Sequence, residues 1–402
     1  MITNERGIAL IITLLVVALL TITVIEFTYS VEVDQHMARN ALNGVQASLL
    51  ARSGINLGEA YLLHDQDRQV DAFTEDWCPQ ADAEGRACLI DDASGQLVLP
   101  GNMRLRVQII DEMGKLNINA TRPPNVAQWR QWHQQRQSGN PATAASSLSA
   151  ATAALGRLLE GRGVDPQIAD NIADYWDNLF LSVYGDQTAP GTPAQTGALA
   201  TPTPTPGGPA INAMQVFDFP SLDDASVIPG MTADVIRRMR PVLTALPGVF
   251  TKVNINTAPR EVLRAIVDDD SWADEIIQQR QDAPLNRVPP APNPPAGQGA
   301  PASRLGTAQM LGTTSVHFLI RASAMINPNP VTGLGGISRS ASMLVRRVPG
   351  APRPGTTSSQ PGAVHWTLTQ LDWQKEGGAA LFQPRTDQDL DTDGQATPGM
   401  GG

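Results

Sequence analysis

The chain opens on a segment that leaves little choice of fold. Gly7 is followed by the apolar run Ile8 to Ile25 (IALIITLLVVALLTITVI), which has no charge and no proline and only Thr13, Thr21 and Thr23 as polar members. As an α-helix this run is about 27 Å long at about 1.5 Å per residue, close to the ~30 Å hydrocarbon core of a bilayer. Arg6 precedes it and Glu26 follows it. Nothing stops the helix there, because the first of the 32 prolines is Pro79. Beyond the run, Ala38, Leu42, Val45, Leu49, Leu57 and Tyr61 recur at multiples of three and four, with Ser53 the polar member of the stripe. Gly44, Gly54 and Gly58 cost some propensity. The spacing predicts one helix over 8–63, about 80 Å long. Its first part, 8–25, suits lipid or a helix bundle, and the later stripe suits the face of a globular domain.

A secretory signal peptide would show a small-residue cleavage pattern after the run, whereas Glu26, Phe27, Thr28 and Tyr29 offer none. A plain signal anchor would have no reason to extend as a second, amphipathic half. The 402 residues allow two or three domains. A net charge of −10 gives no global attraction to phosphate backbones. Two cysteines, Cys78 and Cys88, exclude a disulfide scaffold. They could close one small loop in an oxidising compartment, contributing about 2–3 kcal/mol, or stand as free thiols. The five histidines form no paired or H-x-x-x-H arrangement, so zinc chemistry has no support.

After the helix, a polar loop flanks the cysteines. Met103, Leu105, Val107 and Ile109 then alternate with Arg104, Arg106 and Gln108 as a strand. Residues 125–180 read as helical, with Trp129 and Trp132, then Leu155, Leu158 and Leu159, then Ile168, Ile172 and Trp176. A T-P-T-P-T-P stretch marks a surface insertion over 185–210. Helical text resumes at Ser221 and continues through Asp234–Met239 to Leu246-Pro247-Gly248. Pro259 is then placed in the first turn of a helix carrying Val262, Leu263, Ile266 and Val267. A Pro-rich linker (284–303) precedes further strands, where Val316, Phe318 and Ile320, then Ala341, Met343 and Val345, then Val364, Trp366 and Leu368 alternate. The tail from 384 reads as disordered. Strands on both sides of a helical block imply one sheet interrupted by an inserted domain.

Several motifs carry a family resemblance. Arg6-Gly7 before the apolar helix resembles the type IV prepilin leader, cut after the glycine so that Ile8 becomes the first mature residue. Most pilins and pseudopilins have glutamate at the fifth mature position; Ile12 stands there. That departure is the habit of the large K-type minor pseudopilin of type II secretion. Asp111-x-x-Gly114-Lys115-x-Asn117-Ile118-Asn119 and Val253-Asn254-Ile255-Asn256-Thr257-Ala258-Pro259 resemble that family's pattern at the two edges of its helical insertion. Asparagine suits such junctions by bonding local backbone and capping the next helix. Ser221, Asp224, Ile228, Gly230-Met231, Pro241, Thr244 and Leu246-Pro247 are also similar to it.

The resemblance implies an α+β, pilin-like fold: a long N-terminal helix on an antiparallel sheet with a large inserted α-helical domain. It divides the chain into a leader (1–7), the long helix (8–63, transmembrane 8–25), a first part of the pilin-like domain (64–116), the insertion (117–283), the linker (284–303), a second part (304–383) and the tail (384–402). It further implies a cap on the tip of a periplasmic pseudopilus, anchored by a single pass in the inner membrane. Its partners would be the I-type and J-type minor pseudopilins, then the H-type and major pseudopilins, with a prepilin peptidase and the inner-membrane assembly platform. A minor pilin of a type IV pilus or DNA-uptake machine is the alternative.

Calcium in the insertion is the one cofactor the resemblance implies. Asp170, Asp174 and Asp177, at i, i+4 and i+7, put three carboxylates on one helix face, as hard oxygen ligands or as a solvated face. Leu179 stands where the family has a later acid, and only Tyr184 and Asp186 remain of its acidic, tyrosine-rich stretch. V-N-I-N-T-A also resembles the start of a helix-hairpin-helix module. Here, however, Asp268-Asp269-Asp270 occupies the phosphate position, which disfavours nucleic acid. No G-x-S-x-G, phosphate-cradling glycine loop or Cys/His pair supports catalysis.

Overall fold

The computed structural model describes residues 5–65, 67, 69–82, 85–90, 97–137, 150–184, 218–249, 251–291, 309–328, 336–349 and 366–376. The insertion at 185–210, the tail from 384, residues 292–303 of the linker, Asp186 and Val364 lie outside these residues, as does the leader up to Asn4.

Helix α1 (Glu5–His64) is continuous, about 90 Å at 1.5 Å per residue. Its C-terminal half packs on a seven-stranded sheet, mainly on three strands: β4 (Met103–Asp111), β9 (His317–Ile326) and β10 (Ile337–Pro349). With β1 (Gln80–Ala81), β2 (Cys88–Leu89) and β11 (Trp366–Glu376), the order is β1-β2-β4-β9-β10-β11, and β3 (Leu97–Leu99) also pairs with β4. All of these pairings are antiparallel. The expected alternation in β4 holds: Leu105, Val107 and Ile109 are buried toward α1, with Arg104, Arg106 and Gln108 on the other face. Ile109 lies opposite Ile320, and Ile320 opposite Met343, so one apolar row crosses three strands under the helix.

The face of α1 that meets this row is only partly the expected one: Leu57 and Tyr61 pack at the edge of its core, but the N-terminal part of the stripe does not. Leu42, Val45 and Leu49 are 58%, 58% and 61% exposed. The buried face is instead Gly44, Ala47, Ala51, Gly54, Ile55, Gly58 and Leu62. Small residues win because the helix backbone lies close on the sheet. A Cβ on Gly54 would stand 2.8 Å from Ala322 Cβ and 2.9 Å from Leu105 Cδ1, and one on Gly58 would stand 2.5 Å from Ile320 Cγ2. Gly54→Val is therefore expected to overpack the seam and cost about 1–3 kcal/mol, read as a lower urea midpoint; an unchanged midpoint would refute this close seating.

Between β4 and β9 lies a helical unit with its own core. It holds α2 (Val126–Gln137), α3 (Ala150–Gly161), α4 (Gln167–Tyr184), α5 (Ala233–Met239), α6 (Arg260–Val267) and α7 (Asp270–Asp282). Leu155, Leu158, Leu159, Ile168, Ile172 and Trp176 are buried, as their periodicity predicts. Ser221 and Asp224 form a capping box on a 3₁₀ turn, Leu222–Val227. Pro259 is the N-cap of α6, one position before the expected first turn. The unit also reaches further along the chain than 117–283. Leu285 and Val288, within the expected linker, pack against its core, and so does Met310. Leu311 is a buried member of that core, in the short strand β8 (Leu311–Gly312) beside β7 (Val253–Asn254). A second parallel pair joins β5 (Leu116–Asn117) to β6 (Leu243–Thr244).

Candidate functional site

Two features stand out for function: the exposed stem and the polar junction between sheet and helical unit. On the stem, the large apolar side chains from Leu10 to Met37 face outward. Leu42, Val45 and Leu49 continue that surface along the half of α1 that rests on the sheet. Among the described residues, α1 is the one helix long and apolar enough to cross a membrane.

The junction is built from the two asparagine motifs. Asn117 caps the 3₁₀ turn Ile118–Thr121 by accepting from the Asn119 N–H, which is the expected local role. Its amide also donates to Leu246 O (3.1 Å), Gly248 O (3.0 Å) and Thr251 Oγ1 (2.8 Å), and its Oδ1 accepts from the Leu246 N–H. Asn119 exchanges bonds with the backbone of Phe219 and donates to Leu246 O. In the second motif, Asn254 Oδ1 accepts from the Asn256 N–H, and its amide reaches Asp71 O (2.8 Å), Ser315 Oγ (2.8 Å) and Asp111 Oδ2 (3.1 Å). Asn256 ties down Leu285 through both its N–H and its carbonyl. Each motif thus caps locally and ties segments far apart in sequence.

Asp111 is the hub. Oδ2 accepts from Ser315 Oγ (2.6 Å), Thr257 Oγ1 (2.5 Å) and Asn254, and Oδ1 accepts from the Met113 N–H (2.8 Å). Burial raises its carboxyl above the usual range, and these bonds oppose the rise. Next to it, Asp71 accepts from the Ser315 N–H (2.6 Å). Burial pushes the Asp71 carboxyl well up against the pull of Arg347. Arg347, fully buried on β10, donates to Asp71 and to Asp65 Oδ2 (2.6 Å), and its guanidinium lies 4.7 Å over the Phe318 ring. Trp77 meets the same ring edge-on at 5.4 Å. The hub therefore links the base of α1, β4, β10 and the helical unit. Arg347, Asp71 and Ser315 drew no attention in the sequence. The available signal was Arg347 itself, a charge at the inward position after Ala341, Met343 and Val345.

The other expected site residues are placed as follows. Gly7 and Ile8 lie in the first turns of α1. Cys78 and Cys88 are buried free thiols. Their mutual hydrogen bond, together with burial, drives the Cys78 thiol well up. Asp170, Asp174 and Asp177 share α4 but do not gather. Asp177 accepts from Trp129 Nε1 (2.9 Å) and bonds His133 Nδ1 (2.8 Å), while Asp174 pairs with Arg136. A calcium ion would have to displace a guanidinium and an imidazole, so these three residues do not fit the ion. Among the described residues, the carboxylates that do gather are Asp65, Asp71 and Glu75, and Arg347 already supplies the positive charge there. At the turn between α6 and α7, Asp268 is left-handed (φ 54°) and Asp269 caps α7; Asp268 and Asp270 pair with Arg157 and Arg264.

Residues 253–308 match the family model described as type II secretion system (T2SS), protein K, a stretch that begins at the second asparagine motif. No curated protein matches the chain. Among solved structures, the chain is similar to one in the GspK-GspI-GspJ complex of the enterotoxigenic Escherichia coli type 2 secretion system. The identity is 17% and the TM-score 0.49, over 85% of this chain and 99% of that one.

Proposed function

We propose that this chain is a K-type minor pseudopilin of a type II secretion system, which caps the pseudopilus and works by assembly, not turnover. The observation that carries this reading is where the protein K match falls. The described part of the matched stretch, 253–291, belongs to the helical unit, and that unit is inserted in a sheet borne on an exposed apolar stem. In this reading the stem is held in the inner membrane and the remainder stands in the periplasm. Peptidase cleavage after Gly7 leaves Ile8 as the new amino terminus. The stem then packs against the helices of I-type and J-type pseudopilins, with the H-type and major pseudopilins and the assembly platform below. Apolar burial along the stem supplies the association energy. In the oxidising periplasm, the neighbouring Cys78 and Cys88 thiols would close one small loop.

Mass analysis of the protein extracted from membranes is expected to give a mature chain beginning at Ile8, and Gly7→Val is expected to leave the uncut precursor. A mature start beyond Glu26, or normal processing of Gly7→Val, would overturn the reading. Co-purification separates the alternative: recovery of type IV pilus subunits instead of I-type and J-type pseudopilins would place the chain in a pilus or DNA-uptake machine.

A further inference from the structure

The segment from Asp65 to Cys78 straps the base of α1 to the helical unit. Three of its acids, Asp65, Asp71 and Glu75, cluster, with one carboxylate oxygen from each lying within 4.8 Å of the other two. The Asp111 carboxyl faces Asp71 from the end of β4. The charged and titratable groups around the cluster can be named element by element. The strap contributes Asp67, and β10 contributes Arg347, bonded to Asp65 and Asp71. β9 contributes the Phe318 ring beneath the Arg347 guanidinium, while His317, held down to about 4 by burial and by the charge of Arg346, has Arg346 and Glu112 as its charged neighbours instead of the strap acids. The helical unit faces the cluster with the uncharged Asn254 and Thr257. Among the described residues, Asp71, Glu75 and Asp111, each raised by burial, therefore crowd together beside the Arg347 guanidinium, and the three cannot all ionise at low cost. Glu75 accepts from the Ala72 N–H (2.9 Å) and from Trp77 Nε1 (3.1 Å), both at Oε2, so Oε1 can carry a proton without breaking either bond.

We propose that Glu75 makes this strap a proton-dependent latch. Protonated, it lets the strap close between the end of α1, Arg347 and Asn254; ionised, it adds a buried negative charge that loosens the strap and its hold on the helical unit. The latch holds whether or not the chain caps a filament. Burial raises Glu75 from its ordinary 4.5 to about 7; the charges of Asp65 and Asp67 add to the rise, and the bonds from Ala72 and Trp77 oppose it. Since the folded value lies above the unfolded one, stabilisation that is complete below about 4.5 is lost as pH rises through about 7.

The test uses the full chain in detergent. Between pH 5 and pH 8, Tm is expected to fall by about 4 °C or more, and protection factors over Asp71–Trp77, taken relative to the intrinsic base-catalysed rate at each pH, are expected to fall. Glu75→Gln, which stays neutral, should at least halve both changes. Direct titration of the Glu75 carboxyl carbon in the unmodified chain decides the matter even if that variant folds poorly. Its midpoint is expected near 7, and Trp77→Phe, which removes a donor to the ionised form, should move it upward. A midpoint below pH 5.5, or a Glu75→Gln variant that keeps the full pH slope, overturns the latch.

Discussion

Arg347→Met is expected to be among the most damaging single substitutions in the chain, lowering stability by about 3–5 kcal/mol. Methionine fills much of the same volume, so lost packing is the smaller part. The larger part is that Asp65 and Asp71, both buried, lose the cation that faces them. Removing one partner of a buried ion pair leaves the other charge uncompensated, whereas neutralising the whole group is often harmless. Arg347→Met combined with Asp65→Asn and Asp71→Asn should therefore recover most of the loss. The single variant should also be rescued toward acid pH, where the Asp71 carboxyl, raised by burial and no longer opposed by Arg347, can take up a proton. Urea midpoints for the single and triple variants at two pH values check this. A single variant within about 1 kcal/mol of the parent would mean the guanidinium does not hold the junction together.

The second large effect falls on association and leaves folding alone. Replacing Leu42, Val45 and Leu49 together with serine should leave the monomer's stability almost unchanged, because all three are exposed and touch neither core. If the chain assembles through its stem, those residues become buried against a neighbouring helix. Full burial of an aliphatic side chain is worth about 1.5–3 kcal/mol. Even partial burial of three would weaken association by more than ~100-fold. The measurement is recovery of I-type and J-type pseudopilins with the triple variant, beside its thermal unfolding. Undiminished recovery would remove the stripe from the interface, and a collapsed Tm would mean it serves this chain's own fold.

That stripe marks where sequence reasoning reached its limit. A long helix was legible in a run without proline, and β4 was legible in strict alternation. Which face of α1 meets the sheet was legible only in part, at Leu57 and Tyr61. A periodic stripe of large apolar residues normally points to a core, but here Gly44, Ala47, Ala51, Gly54 and Gly58 form the seam, and residues that small carry almost no hydrophobic signal. The asparagine motifs divide in the same way. Their local capping follows from the residue type. The Asn254–Asp111 bond joins groups 143 residues apart, and the Arg347–Asp71 bond joins groups 276 apart, and no local pattern records such pairings. The acids of α4 show the converse. Their spacing on one face was correct, but Arg136 and His133 arrive from another helix to occupy two of them.

The pairing of β4 with β9 has a consequence for how such a molecule can be rebuilt. Asp111 lies directly opposite Phe318, so the two strands are arms of a single hairpin and the whole helical unit is its loop. Both ends of that loop converge on one spot, since Ser315 Oγ bonds Asp111 at 2.6 Å. Excising the unit and bridging the strands with a tight turn would thus leave the strand register intact, and a different cargo of similar end-to-end span could be grafted there without re-threading the sheet.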